Sequence, residues 1–195
     1  LNQGFEITLG GTPVATKNFT WTTDVNFATL RNKVLDLGGQ QFIPAGSRQR
    51  IEVGKPFGSW YMPVWYGVNP ETGAAQWEDA NGKPTENYAE AQAARKYVGQ
   101  ALPTLTGGWN NKINFREFDL SMLVTFSTGN KAYNYNRQNL ESDGANTRNQ
   151  AKDALDHWQK PGDISDRPKV VFGGSGANQV STRYLEDVSY ARIRN

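Results

Sequence analysis

Residues 109–126 read as two stretches of alternating polarity joined by two polar residues, Arg116-Glu117. In the second stretch Phe118, Leu120, Met122, Val124 and Phe126 share one parity, while Asp119, Ser121 and Thr125 share the other. A period of two over that length commits the chain to a sheet with one apolar and one polar face. The short connection makes the two strands antiparallel neighbours.

The same pattern recurs upstream. Phe5, Ile7 and Leu9 alternate with Glu6 and Thr8; Phe19, Trp21, Val25 and Phe27 alternate with Thr20, Thr22, Asp24 and Asn26. This second alternation runs on toward Lys33, long beside the usual strand of about 5–6 residues. A last strand is expected over 184–194, with Val188, Tyr190 and Arg192 on one face. Long polar stretches separate these segments: 36–58, 67–104 and 129–183. Short helices are expected near 87–97 and 149–159, the latter ending at Pro161-Gly162.

Composition narrows the classes. Mean hydropathy is −0.68, and no window approaches the roughly 20 apolar residues of a spanning helix. Aromatics still make up 12% of the 195 residues, which argues against disorder. Twenty-one basic and 19 acidic residues leave +2, with no basic cluster to suggest a nucleic-acid partner. Without cysteine and with one histidine, there is no thiolate nucleophile and no Cys/His metal set. Leu1-Asn2-Gln3 is neither a signal peptide nor a start methionine, so the chain is expected to begin within a longer protein.

Apparent catalytic motifs are weak. Gly173-Gly174-Ser175-Gly176-Ala177 lacks the last glycine of a nucleophile elbow, and a triad would have to use His157, on a polar helix. Asp79-Ala80-Asn81-Gly82 resembles part of a calcium loop, but Trp77 and Tyr88 fall where its first and last ligands belong. A type I′ hairpin turn is expected there instead. Asn18-Phe19-Thr20 spells a glycosylation site at the start of a strand. Carboxylate pairs (Glu141 with Asp143, Glu186 with Asp187) could serve a glycosidase, but sequence fixes no separation between them. The aromatic run 60–66 stands out: Trp60, Tyr61, Trp65 and Tyr66, with Trp77 beyond, are candidates to face a substrate or partner. Their ordinary alternative is a place in a core or an aromatic girdle.

Two architectures accommodate the alternation. In a soluble sandwich the apolar parity meets a second sheet; in an outer-membrane barrel it meets lipid and the polar parity lines a wet lumen. Strand length, the contrast of tight turns with very long loops, and the polarity of Asp24, Asn26, Lys112, Asn114 and Asp119 favour the barrel. With the turns at 15–18 and 116–117 at one end, an even number of crossings, zero included, separates strand 19–34 from strand 109–115. Either 36–104 is one extracellular excursion, or 57–68 and 74–79 form an extra spanning pair. Strand structure is expected within 59–68, which is rich in strand formers.

Five segments together resemble SusC/RagA-type TonB-dependent receptors. Tyr184-Leu185-Glu186-Asp187-Val188-Ser189-Tyr190-Ala191-Arg192-Ile193-Arg194-Asn195 is similar to a signature near their C-terminal end, with Val188 where glycine is usual. Thr106-Gly107-Gly108-Trp109 through Phe118-Asp119-Leu120-Ser121 to Gly129-Asn130-Lys131 is similar to one of their hairpins. The segments 2–6, 53–59 and 67–73 match in the family's order.

The resemblance implies an all-β fold: an antiparallel segment of a transmembrane β-barrel with long extracellular loops containing short helices. Such receptors hold an N-terminal plug inside a barrel of about 22 strands. Residues 1–195 are then expected to be part of a single barrel domain, with the plug and the final strands absent. The implied function is TonB-dependent import of a glycan or oligopeptide across the outer membrane of a Bacteroidota-like organism, without catalysis, metal or cofactor. Implied partners are a SusD-like surface lipoprotein over the loops, TonB acting through the plug, and the lipid bilayer. A soluble β-rich carbohydrate-binding module, with Trp60, Trp65 or Trp77 as its stacking platform, is the alternative.

Overall fold

The computed structural model describes residues 1–194. In chain order the first elements are β1 (Asn2–Gln3), β2 (Glu6–Ala15), β3 (Phe19–Thr29), β4 (Arg31–Asn32), β5 (Phe42–Ala45), β6 (Gln49–Glu52), β7 (Ser59–Met62), β8 (Trp65–Val68), β9 (Ala75–Glu78), β10 (Pro84–Thr85), α1 (Tyr88–Ala93) and β11 (Lys96–Gln100). The remainder are β12 (Leu105–Phe115), β13 (Phe118–Thr128), β14 (Lys131–Tyr133), α2 (Tyr135–Leu140), 3₁₀ turns at Lys152–Leu155 and Thr182–Tyr184, β15 (Leu185–Asp187) and β16 (Tyr190–Arg194).

The long strands form one five-stranded wall in the order β16-β13-β12-β3-β2, every neighbour antiparallel. Residues directly opposite on antiparallel strands share a face. The register therefore carries one apolar row across the wall: Leu9, Val25, Trp109, Val124 and Ile193. A second row, nearer the tight turns, holds Val14, Trp21, Ile113 and Leu120. The opposite face carries Asp24, Asn26, Asn110, Lys112, Asn114, Asp119, Thr125 and Arg192. Nothing among the described residues covers the apolar face: Phe118 is 76% and Ile193 73% exposed. A sheet that leaves so broad an apolar face bare is made for an apolar surrounding.

The two indole N–H groups on that apolar face are paired within it. Trp21 Nε1 donates to Asn111 Oδ1 (3.1 Å), and Trp109 Nε1 donates to Thr23 Oγ1 (2.8 Å). Both indoles thus satisfy their N–H groups internally, as an apolar medium requires. Gly107 lies under the Phe126 ring, where a Cβ would also fall 2.5 Å from the Asn26 carbonyl oxygen.

Both tight turns, 16–18 and 116–117, lie at one end of the wall, and two excursions, 30–104 and 129–189, leave from the other. Because β3 pairs with β12 along its whole length, the number of crossings between them is zero. The strands within 57–68 and 74–79 do exist, but they pair only in small sheets of the first excursion, β11-β7-β6-β5 and β10-β9-β8. The alternative of an extra spanning pair is thereby removed.

Several boundaries differ from expectation for local reasons. The first strand continues through Pro13 to Ala15, with a bulge between Gly11 and Val14, and its outer edge has no partner among the described residues. Proline is tolerated at such an edge because no ladder bond is lost. The second strand stops at Thr29, and the last breaks at Val188-Ser189, with Thr182–Tyr184 in a 3₁₀ turn. The 149–159 helix shrinks to the 3₁₀ turn Lys152–Leu155, while α2 forms behind Asn134, whose side chain accepts from Arg137 N–H. At 79–82 positive φ falls on Gly82 alone, so the expected type I′ turn is not formed. Asp79 Oδ1 organises this turn by accepting from the Asn81 and Lys83 amides at 2.7 and 2.8 Å.

Candidate functional site

The two excursions stack into one loop layer, and the aromatic run of 60–66 holds it together. Trp77, 2% exposed, is the centre of a small core with Ala75, Ala91 and Ala177. It meets Trp65 edge-on at 5.9 Å and Tyr88 at 5.1 Å, the geometry preferred by ring quadrupoles. The first excursion then grips the second through polar tips. Trp60 Nε1 donates to the Lys131 carbonyl (2.9 Å), Tyr88 Oη to that of Val180 (2.7 Å), and the Trp65 backbone amide to the Thr182 hydroxyl Oγ1 (2.8 Å). Returning the contact, Trp158 of the second excursion lies against Gly73 and donates to the Pro70 carbonyl (2.8 Å).

A buried charge network orders the second excursion. The Arg183 guanidinium, its side chain 3% exposed, grips Asp143 through two nitrogens at 2.5 and 3.1 Å, and Glu141 lies at 3.9 Å. Glu141 also takes Arg137 (3.1 Å) and Arg167 (3.3 Å); Arg137 reaches on to Glu186 (3.3 Å). Burial pushes the Asp143 carboxyl up while the Arg183 fork pulls it down. Three of the four carboxylates considered for hydrolysis are thus held in ion pairs with arginine. The fourth, Asp187, accepts from Ser189 N–H (2.8 Å), and hydrogen bonding from the Ser189 side chain and amide holds its carboxyl below the usual range. His157 Nδ1 lies 3.1 Å from the Ala154 carbonyl, and Ser175 sits in an irregular loop between left-handed glycines.

The five ring positions have different surroundings. Trp60, Trp65 and Trp77 pack between the excursions as described. Tyr66 stands 53% exposed on β8, its ring free. Tyr61 lines a cleft of about 250 Å³ with Phe42, Gln49, Arg50, Gln92 and Arg95. Sequence reasoning missed Phe42, Arg50 and Arg95; the alternation Arg48-Gln49-Arg50-Ile51-Glu52 was the available signal. No group of His, Asp or Glu among the described residues is arranged to hold a metal ion.

No protein-family model matches the chain. Whole-length relatives do. TonB-dependent receptor P3 of Formosa agariphila is 26% identical over 214 residues, covering 100% of this chain and 21% of that protein. TonB-dependent receptor SusC of Bacteroides thetaiotaomicron is likewise 26% identical over 214 residues, covering 100% of this chain and 20% of its own length. Among solved structures, the RagAB peptide transporter superposes with a TM-score of 0.85 at 25% identity, over 98% of this chain and 22% of the other. The RagAB peptide importer in its open-open state gives 0.84 at 22% identity, over 99% and 21%. The chain thus spans about a fifth of the length of the relatives it matches. Its likeness to SusC/RagA-type TonB-dependent receptors extends along its whole length. The five-stranded wall has the fold of a segment of their barrel.

Proposed function

We propose that this chain supplies wall and extracellular loops to a TonB-dependent importer of the outer membrane. The observation that carries the reading is the wall itself. One face is apolar and uncovered across five strands in register, the other is polar, and both tight turns lie at the end opposite the excursions. An apolar face of this breadth would be a severe liability for a soluble carbohydrate-binding module. It is the ordinary lipid face of a barrel.

In this reading residues 1–195 are part of a single barrel domain, with the plug and the final strands supplied by other parts of the protein. The cargo is a large nutrient, a glycan or an oligopeptide. A SusD-like surface lipoprotein caps the loop layer, and TonB acts through the plug; no nucleic acid is involved. Import proceeds by gating, so the chain's residues bind, line and release, and no bond in the cargo is broken here. Of the ring positions, Tyr66 and Tyr61 face cargo or partner. Trp60, Trp65 and Trp77 contribute by holding the loop layer that presents them.

Growth and uptake by cells carrying the full-length receptor test this. Deleting the gene should abolish growth on one class of glycan or peptide, and Tyr66→Ala should slow uptake without loss of receptor from the outer membrane. Trp60→Ala and Trp65→Ala should reduce both uptake and the protease resistance of the loops. A full-length product found soluble in the periplasm or cytoplasm, or no nutrient phenotype on deletion, defeats the proposal.

A further inference from the structure

We infer that the Tyr61 cleft is a carboxylate-recognition site, built to take an acidic side chain or the C-terminus of an oligopeptide. This narrows the cargo within the import reading and rests on it.

The charge balance of the cleft is the first ground. Arg50 and Arg95 both line it, together with Gln49 and Gln92, and no Asp or Glu does. Arg50 Nε lies 3.1 Å from Glu52, but that carboxylate is shared, since it also accepts from the Tyr97 hydroxyl at 2.5 Å. Arg95 Nε is spent on the Gln92 carbonyl (3.0 Å), and among the described residues no carboxylate stands within ion-pair distance of its guanidinium. Two guanidiniums therefore face the cleft with one shared counter-charge behind them.

Orientation is the second ground. The Arg50 guanidinium lies 3.6 Å over the Phe42 ring and 4.7 Å from that of Tyr61; Arg95 lies 5.5 Å from Tyr61 on its own approach. Stacked guanidiniums keep their planes fixed while their edge N–H groups stay free, and a carboxylate accepts such a fork through two oxygens. Side chains ordered before the ligand arrives lose little entropy on binding.

The rings also say what the cleft does not take. Tyr61 is already approached by Tyr97 at 4.9 Å and by both arginines, and Phe42 is covered by Arg50. A pyranose stacked at the arginine-covered faces would displace a guanidinium, whereas a slim acidic side chain needs no ring face. The volume of about 250 Å³ suits one residue of a longer ligand, not the whole of it.

The test uses the full-length receptor in detergent and calorimetry with three probes: a Glu-containing hexapeptide, its Gln counterpart and trigalacturonate. The Glu peptide should bind at least about tenfold more tightly than the Gln peptide, the value of one charge-assisted hydrogen-bond pair. Arg95→Gln should bring the two within about twofold of each other while leaving the Gln peptide unchanged, and Arg95→Lys should restore part of the preference. Equal binding of the two peptides by the wild type overturns the proposal, as does a Glu preference that survives in both Arg95→Gln and Arg50→Gln. Arginine-dependent binding of trigalacturonate in place of the Glu peptide overturns the peptide assignment. Import in cells separates the two readings. Arginine-dependent binding without any import sinks the transporter and leaves the site; normal import of the Gln peptide with no Glu preference does the reverse.

Discussion

Replacing Arg183 by methionine should loosen the second excursion without touching the wall. The substitution keeps the aliphatic stem and removes a guanidinium whose two contacts to Asp143 measure 2.5 and 3.1 Å. Glu141 retains Arg137 and Arg167, so the group stranded is Asp143, a buried carboxylate. Leaving one partner of a buried pair behind costs about 3–5 kcal/mol. In hydrogen exchange that reports opening equilibria, this is an acceleration on the order of a hundredfold to several thousandfold. The effect should appear in segments 141–145 and 178–185 of the full-length receptor, with the amides of β12 and β13 unchanged. Burial already pushes the Asp143 carboxyl up, and without Arg183 only the more distant Arg167 charge pulls it back. A carboxyl raised in the folded state destabilises as pH rises from the ordinary carboxylate range through its raised value. The penalty should therefore be largest at neutral pH and shrink on acidification. Adding Asp143→Leu should recover most of the loss, since an apolar pair of similar volume replaces the buried ions. Exchange within about threefold of wild type at neutral pH, or a double variant no better than the single one, refutes the reasoning.

Three further outcomes follow from the same geometry. Gly107→Ala should destabilise the wall by about 1–3 kcal/mol, because its Cβ would strike Asn26 backbone and the Phe126 ring. The adjacent Gly108→Ala, whose Cβ would meet nothing nearer than 3.5 Å, should cost far less in the same denaturant titration. Trp77→Ala should cost the loop layer about 3–5 kcal/mol, seen as protease cleavage in both excursions, while Tyr66→Ala leaves cleavage unchanged. Asp79 has its carboxyl held below the usual range by the Lys83 amide, so its contribution is present above that range and lost as pH falls through the lowered value. Protection of the Lys83 amide should follow that course in the wild type and lose its pH dependence in Asp79→Asn.

The wall was legible because one variable, parity, decides the environment of each wall residue. The alternation alone puts Phe118, Leu120 and Val124 on one face. Strand ends were less legible. Thr12-Pro13 looks like a break by residue type, yet an unpaired edge and a bulge accept it. The loop layer resisted for a different reason: its strands are mostly four residues or fewer, too short for a period to declare itself. There the informative groups are single side chains with distant partners, such as Arg183 with Asp143 or Trp60 with Lys131. Glu141 and Asp143 showed in the sequence as a carboxylate pair, but only the fold shows which arginines hold them.

The join at the top of the wall has a consequence for how such chains diversify. Thr29 and Leu105 sit opposite one another where β3 meets β12, and Leu30 N–H donates to the Thr104 carbonyl at 2.9 Å just beyond. The first excursion therefore leaves and returns through neighbouring backbone positions, and the entropy of closing it grows only with the logarithm of its length. Insertions, deletions or wholesale exchange between 30 and 104 leave the ladder of hydrogen bonds below undisturbed. A chimaera carrying that segment from a relative should keep its seat in the membrane and change its diet.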